Sequence, residues 1–167
     1  MAGAVENSPR AKRVARTLKI DDTDRAIIRS LQTDGRRPYV EIAAALGLAP
    51  STVQQRANRL IDAGVIKIHA VTDPAVLGVA VTATVALKVD GPRLRQAAVE
   101  MGRFSEVGYV VICTGPHDIL LEVACRDNDH LLSLISDKLA KVKGVRELQT
   151  FVYLRIVKNT YQWGLPE

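Results

Sequence analysis

Apolar residues fall at helical spacing through the first part of the chain. Ile27, Ile28 and Leu31 form the inner stripe of a first helix. Asp21 or Asp22 can cap it, Asp24 suits the positive end of its dipole, and Gly35 lies just past its end. A second, short helix follows Pro38, with Ile42, Ala43 and Leu46 inward and Gly47 as its stop. A third runs from about Pro50 to Ala63, with Val53, Ala57, Leu60 and Ile61 on one apolar face. Pro50 fits its first turn and Gly64 its end. Ser51 with Gln54 also matches a capping box, which would start the helix one residue later. Then Val65–Val71 alternates as a strand would, and Asp73-Pro74 reads as a break.

The rhythm changes beyond that break. Val79–Val89 reads as a strand with Val81, Ala83, Val85 and Leu87 on one face, and Leu94, Ala97, Ala98 and Met101 mark a helix. Val107–Thr114 is a nearly continuous apolar strand. Gly115-Pro116-His117-Asp118 is a turn, and Ile119–Cys125 is the next strand. Asp127 can cap a helix with Leu131, Leu134, Ile135, Leu139 and Val142 inward, and Val145–Val157 is a last strand. The order β-α-β-β-α-β is that of a ferredoxin-like unit. Its helices cover one sheet face, yet Val110, Val111 and Ile112 are apolar on both sides. Phe151 and Tyr153 also alternate with Leu148, Val152 and Leu154. The second face needs a cover, and a partner sheet is the simplest one, which predicts a homodimer.

The expected class is α+β: an N-terminal winged helix-turn-helix plus a C-terminal ferredoxin-like βαββαβ domain. The expected divisions are a basic tail over 1–17, the DNA-binding unit over 18–72 and a linker over 73–78. The sheet domain follows over 79–158, and a C-terminal tail over 159–167.

Composition narrows the function. The 167 residues are 47% apolar and 25% charged, as in an ordinary soluble protein. The net charge of +5 favours an anionic partner. Most of the surplus sits in residues 1–19, where Arg10, Lys12, Arg13, Arg16 and Lys19 face one acid, Glu6. Total charge alone therefore does not establish DNA binding. Cys113 and Cys125 lie at unequal distances from the turn between them and read as unpaired thiols. No apolar leader follows the basic start, and the most apolar stretch falls short of a membrane span. A cytoplasmic protein without a membrane partner is expected.

The third helix carries the clearest chemistry. Opposite its apolar face lies Gln55, flanked by Ser51, Arg59 and Asp62, with Thr52 and Asn58 further round. Gln can pair bidentately with adenine and Arg with guanine in the major groove. A short helix, a tight Gly47 turn and a second amphipathic helix follow helix-turn-helix logic. The expected DNA-contacting residues are Ser51, Thr52, Gln54, Gln55, Arg56, Arg59 and Lys67. Lys67 would meet phosphate from a β-wing, and Arg56, near the apolar border, would mix structural and phosphate roles. Thr114, Gly115, Pro116, His117 and Asp118 form a second polar cluster. Backbone N–H groups there could hold a carboxylate, and Asp118 an ammonium group. No phosphate-binding loop, nucleophile elbow or metal-ligand spacing is present, so no catalytic residue, metal or cofactor is assigned.

Taken together these stretches resemble the leucine-responsive/asparagine-regulator (Lrp/AsnC, feast/famine) family of prokaryotic transcription factors. The resemblance runs from about Lys19 to Lys158. It is carried by Ile20-Asp21, Asp24, Ile27-Ile28, Leu31, Asp34-Gly35-Arg36, Glu41-Ile42-Ala43 and Leu46-Gly47-Leu48. It continues through Arg56, Arg59-Leu60, Gly64-Val65-Ile66, Asp73-Pro74, Leu77-Gly78, Thr114-Gly115 and Asp118. The resemblance implies double-stranded DNA as partner, a homodimer assembling into tetramers or octamers, and an amino acid as effector near Gly115–Asp118. Ala49 stands where the family often has a capping Ser, and Ile119 where an aromatic residue is common. The other reading is an architectural, nucleoid-type protein that wraps DNA with little sequence preference.

Overall fold

The computed structural model describes residues 18–72 and 76–158. Both expected tails, and part of the expected linker, lie outside the described residues. The described residues form two compact units, 18–71 and 72–158.

The first unit holds three helices: α1 (Asp22–Thr33), α2 (Tyr39–Leu46) and α3 (Pro50–Asp62). Asp21 caps α1. Its carboxylate accepts the Asp24 N–H at 2.8 Å, and the Asp24 carboxylate accepts the Asp21 N–H at 3.3 Å, which closes a reciprocal capping box. α2 ends on Gly47 at φ 66°, a left-handed conformation that costs a side chain with a Cβ more than it costs glycine. Ile27, Leu31, Ile42, Ala43, Val53 and Ala57 make one core, with Tyr39, Leu46, Leu48 and Ile66 packed on its edge.

Two local expectations change in this unit. α3 starts at Pro50 with Ala49 at its cap and no side-chain capping bond, so the Ser51–Gln54 box does not form. Pro50 lacks the N–H that a cap would have to satisfy at that position, and its fixed φ already suits the first turn. Residues 65–71 form no strand either, so the β-wing expected to carry Lys67 is absent among the described residues. A strand is stabilised by a ladder partner, and no described segment pairs with this one; residues 67–72 run exposed.

The second unit is a four-stranded antiparallel sheet in the order β2-β3-β1-β4: β1 (Val81–Val89), β2 (Val107–Ile112), β3 (Ile119–Cys125) and β4 (Val145–Val152). Helix α4 (Leu94–Met101) joins β1 to β2, and α5 (Asn128–Ser133) follows β3. The element and strand orders are those of the ferredoxin-like fold. α5 continues through a wide π-type turn, Leu134–Lys138, and a tight 3₁₀ turn, Leu139–Lys141. The wide turn lets Leu134 and Leu139, five apart, both reach the core fully buried.

Alternation sets the sheet's two faces. Val81, Ala83, Val85, Leu87 and Val89 of β1, with Ile119, Leu121, Val123 and Cys125 of β3, are buried in one core with Ala97, Met101, Leu131, Leu134 and Leu139. The opposite face carries Thr84 between Glu122 and Phe151, and Ala86 between Leu120 and Gln149. β4 ends earlier than the expected Val157. Val152 pairs with Ala83 and the Tyr153 N–H still reaches the Thr82 carbonyl, but β1 begins at Val81 and so has no residue to set opposite those beyond Leu154. Cys113 and Cys125 are both free thiols.

Candidate nucleic-acid interface

The sequence of α3 divides the helix into two faces. Val53, Ala57 and Leu60 are fully buried, and they fix which way the rest of the helix points. Ser51, Gln54, Gln55, Asn58, Arg59 and Asp62 are exposed, while Thr52 and Arg56 are half-buried. Leu18, Gln55, Asn58, Arg59, Asp62 and Ala63 line an open hollow of about 510 Å³ on the outward side. Lys67 is exposed beyond the helix end, on a segment without regular structure. The structure thus gathers Gln55 and Arg59 on one surface. It adds Asn58 and Asp62, which the helix wheel places beside them.

Two arginines of α3 also turn back toward α1. Arg56 Nη1 donates to Asp21 Oδ2 at 2.7 Å and to Asp24 Oδ1 at 2.9 Å. Arg59 Nη2 donates to Asp24 Oδ2 at 2.6 Å. Asp24 is wholly buried, whereas the Arg59 side chain is 44% exposed. The Arg56 hydrogen bond and the Asp24 N–H hold the Asp21 carboxyl below its ordinary range, and the bonds from Asp21 and Asp24 raise the Arg56 guanidinium. Arg56 is therefore an ion-pair residue, the structural half of its expected role. Arg59 is both a surface residue and an anchor. The sequence pattern assigns Asp24 only to the helix dipole; its burial appears once α3 packs across α1.

In the sheet unit, the segment between β2 and β3 brings Thr114, Gly115, Pro116, His117 and Asp118 into one loop. Thr114, Gly115 and Pro116 are exposed; His117 and Asp118 are half-buried. Gly115 has φ 126°, open to glycine and strained for other residues. Asp118 is tied to β1: its N–H donates to the Leu87 carbonyl at 2.8 Å, and its Oδ2 accepts the Val89 N–H at 2.8 Å. The Cys113 N–H donates to the Asp118 carbonyl at 3.0 Å and closes the loop. Among the described residues, the N–H groups of Thr114, Gly115 and His117 donate to no protein acceptor. No group of three His, Cys, Asp or Glu side chains suited to a metal occurs among the described residues.

The same unit buries a second carboxylate. Glu106 is 7% exposed and lies against Lys138 Nζ at 2.6 Å and His130 Nε2 at 3.1 Å. Ser105 Oγ donates to its other oxygen. Burial pushes the carboxyl up, but Lys138, its own backbone N–H, His130 and Ser105 outweigh that and hold it at about 2. His130 Nδ1 accepts the Arg126 N–H at 3.3 Å, so the network assigns the ring proton to Nε2, facing Glu106.

Comparison with known proteins bears on both regions. The AsnC-type helix-turn-helix domain matches residues 20–61, and the Lrp/AsnC ligand binding domain matches residues 82–163. An uncharacterized HTH-type transcriptional regulator of Pyrococcus abyssi is 38% identical over 90% of this chain and 93% of its own. The HTH-type transcriptional regulator FL11 of Pyrococcus furiosus is 32% identical over 84% of this chain and 93% of its own. Among solved structures, a Neisseria meningitidis transcriptional regulator in complex with L-Met aligns with a TM-score of 0.79. The two share 26% identity over 87% of this chain and 97% of that one. A feast or famine regulatory protein of M. tuberculosis, complexed with L-methionine, aligns with a TM-score of 0.79. Identity there is 27%, over 87% of this chain and 99% of that one.

Proposed function

Because the chain belongs to the Lrp/AsnC family of DNA-binding transcription regulators, we propose that it reads a specific duplex through α3 and that an amino acid binding at the β2–β3 loop adjusts this activity. The observation that carries the reading is the outward surface of α3. Gln55, Asn58 and Arg59 stand exposed around an open hollow, while the opposite face of the helix is locked in the core. Gln and Asn suit adenine and Arg suits guanine in the major groove. Ser51 and Thr52 sit in the first turn of α3, where N–H groups and hydroxyls suit phosphate, and Gln54 follows just beyond it with an amide that can donate to phosphate. Lys67 adds a charge that suits the backbone of the duplex. The relatives are transcription regulators, which favours this over both the architectural reading and an enzyme.

The effector reading rests on the loop and on the L-methionine complexes of the two structural neighbours. The unpaired N–H groups at Thr114, Gly115 and His117 suit a carboxylate. Asp118 spends one oxygen on Val89, which leaves the other for an ammonium group. The open sheet face, with Tyr109 and Phe151 about half exposed, suits a second copy of the chain. Tetramers or octamers would then be two or four of those dimers. A cytoplasmic setting fits a regulator of DNA, and no helix among the described residues is long and apolar enough to cross a membrane.

The test is selection of duplexes from a random pool, followed by competition of the winner with random DNA at fixed salt. The wild type should enrich a defined site, and Gln55→Ala should lose most of its preference for that site. A pool that emerges unenriched would leave sequence-specific recognition without support. For assembly, Phe151→Asp should shift the sedimentation of the dimer toward the monomer; unchanged sedimentation would remove this face from the interface.

A further inference from the structure

Asp24 belongs to α1 and lies outside the exposed surface of α3, yet both of its oxygens are spent on that helix. Oδ1 accepts from Arg56 at 2.9 Å and Oδ2 from Arg59 at 2.6 Å. A fully buried carboxylate is costly unless paired, and among the described residues this one is paired through guanidinium groups of α3 and the weaker Asp21 N–H contact. The two arginines sit three apart, so a single rigid anchor fixes the rotation of α3 against α1. Arg59 has a second consequence. Its guanidinium presents five N–H donors in a planar fork. One Nη2 is held from behind by Asp24 while the side chain remains 44% exposed beside Gln55 and Asn58. An exposed arginine ordinarily samples many rotamers, and fixing one on binding costs entropy. A buried carboxylate at its rear pays that cost in advance and aims the remaining donors outward.

We propose that Asp24 is a positioning residue for DNA recognition, which orients α3 through Arg56 and aims the guanidinium of Arg59 at the duplex. This rests on the reading of α3 as the recognition helix. It assigns Asp24 to specificity rather than to stability alone, although Asp24 never reaches DNA. Lysine at position 59 would not serve, because its three donors share one nitrogen on a flexible stem and lack the planar fork whose separate nitrogens can be held by Asp24 and aimed at the duplex.

The experiment is a double-mutant cycle on the full chain, read as the ratio of affinities for the wild-type-selected duplex and for random DNA. Circular dichroism first establishes that each variant is folded at the assay temperature. Asp24→Asn keeps the shape, removes the charge and turns a donor toward the arginines. It should lower the ratio about tenfold, and Asp24→Asn/Arg59→Ala should lose less than the sum of the two single losses, because the part of the Asp24 effect that runs through Arg59 is already gone. If Asp24 serves only stability, Asp24→Asn will lower the melting temperature and leave the ratio of the folded protein unchanged. Additive losses in the double variant would likewise overturn the proposal. Should Asp24→Asn not fold, Arg59→Lys decides: a loss of preference equal to that of Arg59→Ala supports the anchored fork, and full preference contradicts it. A wild type that enriches no duplex would instead fail the reading of α3 itself, which separates the two.

Discussion

Among the described residues each unit buries one carboxylate, and the two are answered from different places. Asp24 in the helical unit is held by two arginines of the helix that presents the candidate DNA surface. Glu106 in the sheet unit is held by Lys138 and His130 of the second helical segment and by its neighbour Ser105. None of those partners belongs to the β2–β3 loop or to the open sheet face. The first ion cluster is continuous with the candidate DNA surface, whereas the second fastens an irregular helix to the start of a strand. Buried charge by itself therefore does not mark function here. What differs between the two is the element that supplies the counter-charge.

The contrast can be broken by changing each unit separately. The largest effect is expected in the apolar core of the sheet. Leu121 is fully buried between Val85 and Val110 on neighbouring strands. Leu121→Ala should cost about 2–5 kcal/mol. Amide hydrogen exchange reads the units one by one and should show the loss in residues 81–152, with α1–α3 keeping their protection. Equal loss in both would mean that the units do not hold their stability separately.

Glu106 comes next. Its carboxyl sits at about 2, below an ordinary 4.5, so its stabilisation is fully present above pH 4.5 and is lost as pH falls toward 2. The difference corresponds to on the order of 3 kcal/mol. Urea midpoints of Glu106→Gln should lie below the wild type at neutral pH and converge with it between pH 4.5 and 2. A constant gap across that window would show that the ion cluster is not the source.

Gly47→Ala tests the turn that sets α3 after α2. A Cβ there meets open space, so the whole cost is that of a left-handed backbone, about 1–2 kcal/mol. Thermal melting should record that loss while the affinity of the folded protein for DNA is kept. The smallest effect is expected at Ser51. The helix begins at Pro50 without a side-chain cap, so Ser51→Ala should move stability by less than about 0.5 kcal/mol. A larger drop on melting would show that Ser51 caps the helix after all.

These residues also show what the sequence makes legible. The caps and stops of the helices are local, and Asp21, Gly47, Pro50 and Asp127 all act where the pattern puts them. The strand faces follow from alternation, which is why β1 buries Val81, Ala83, Val85 and Leu87, the residues the pattern selects. What fails is what depends on a neighbour. Residues 65–71 alternate like a strand but pair with no described segment, and β4 stops where β1 has no more edge to offer. The π-type turn hides in an apolar stripe that looks helical, and its only trace is the five-residue step from Leu134 to Leu139. Arg59 reads correctly as an outward residue, but its bond to Asp24 joins residues far apart in the chain and has no local signature. The loop from Thr114 to Asp118 is legible as a turn, whereas the binding of Asp118 to Leu87 and Val89 is a property of the sheet.

The most direct test of an amino-acid-responsive, sequence-reading regulator is a fluorescence-anisotropy titration of the full chain against its selected duplex. It is run at fixed salt with random DNA as competitor, with and without each of the twenty amino acids. The account predicts binding that random DNA displaces poorly and that at least one amino acid shifts, with the shift abolished by Asp118→Ala. Binding no tighter than to random DNA, and unmoved by every amino acid, would contradict it.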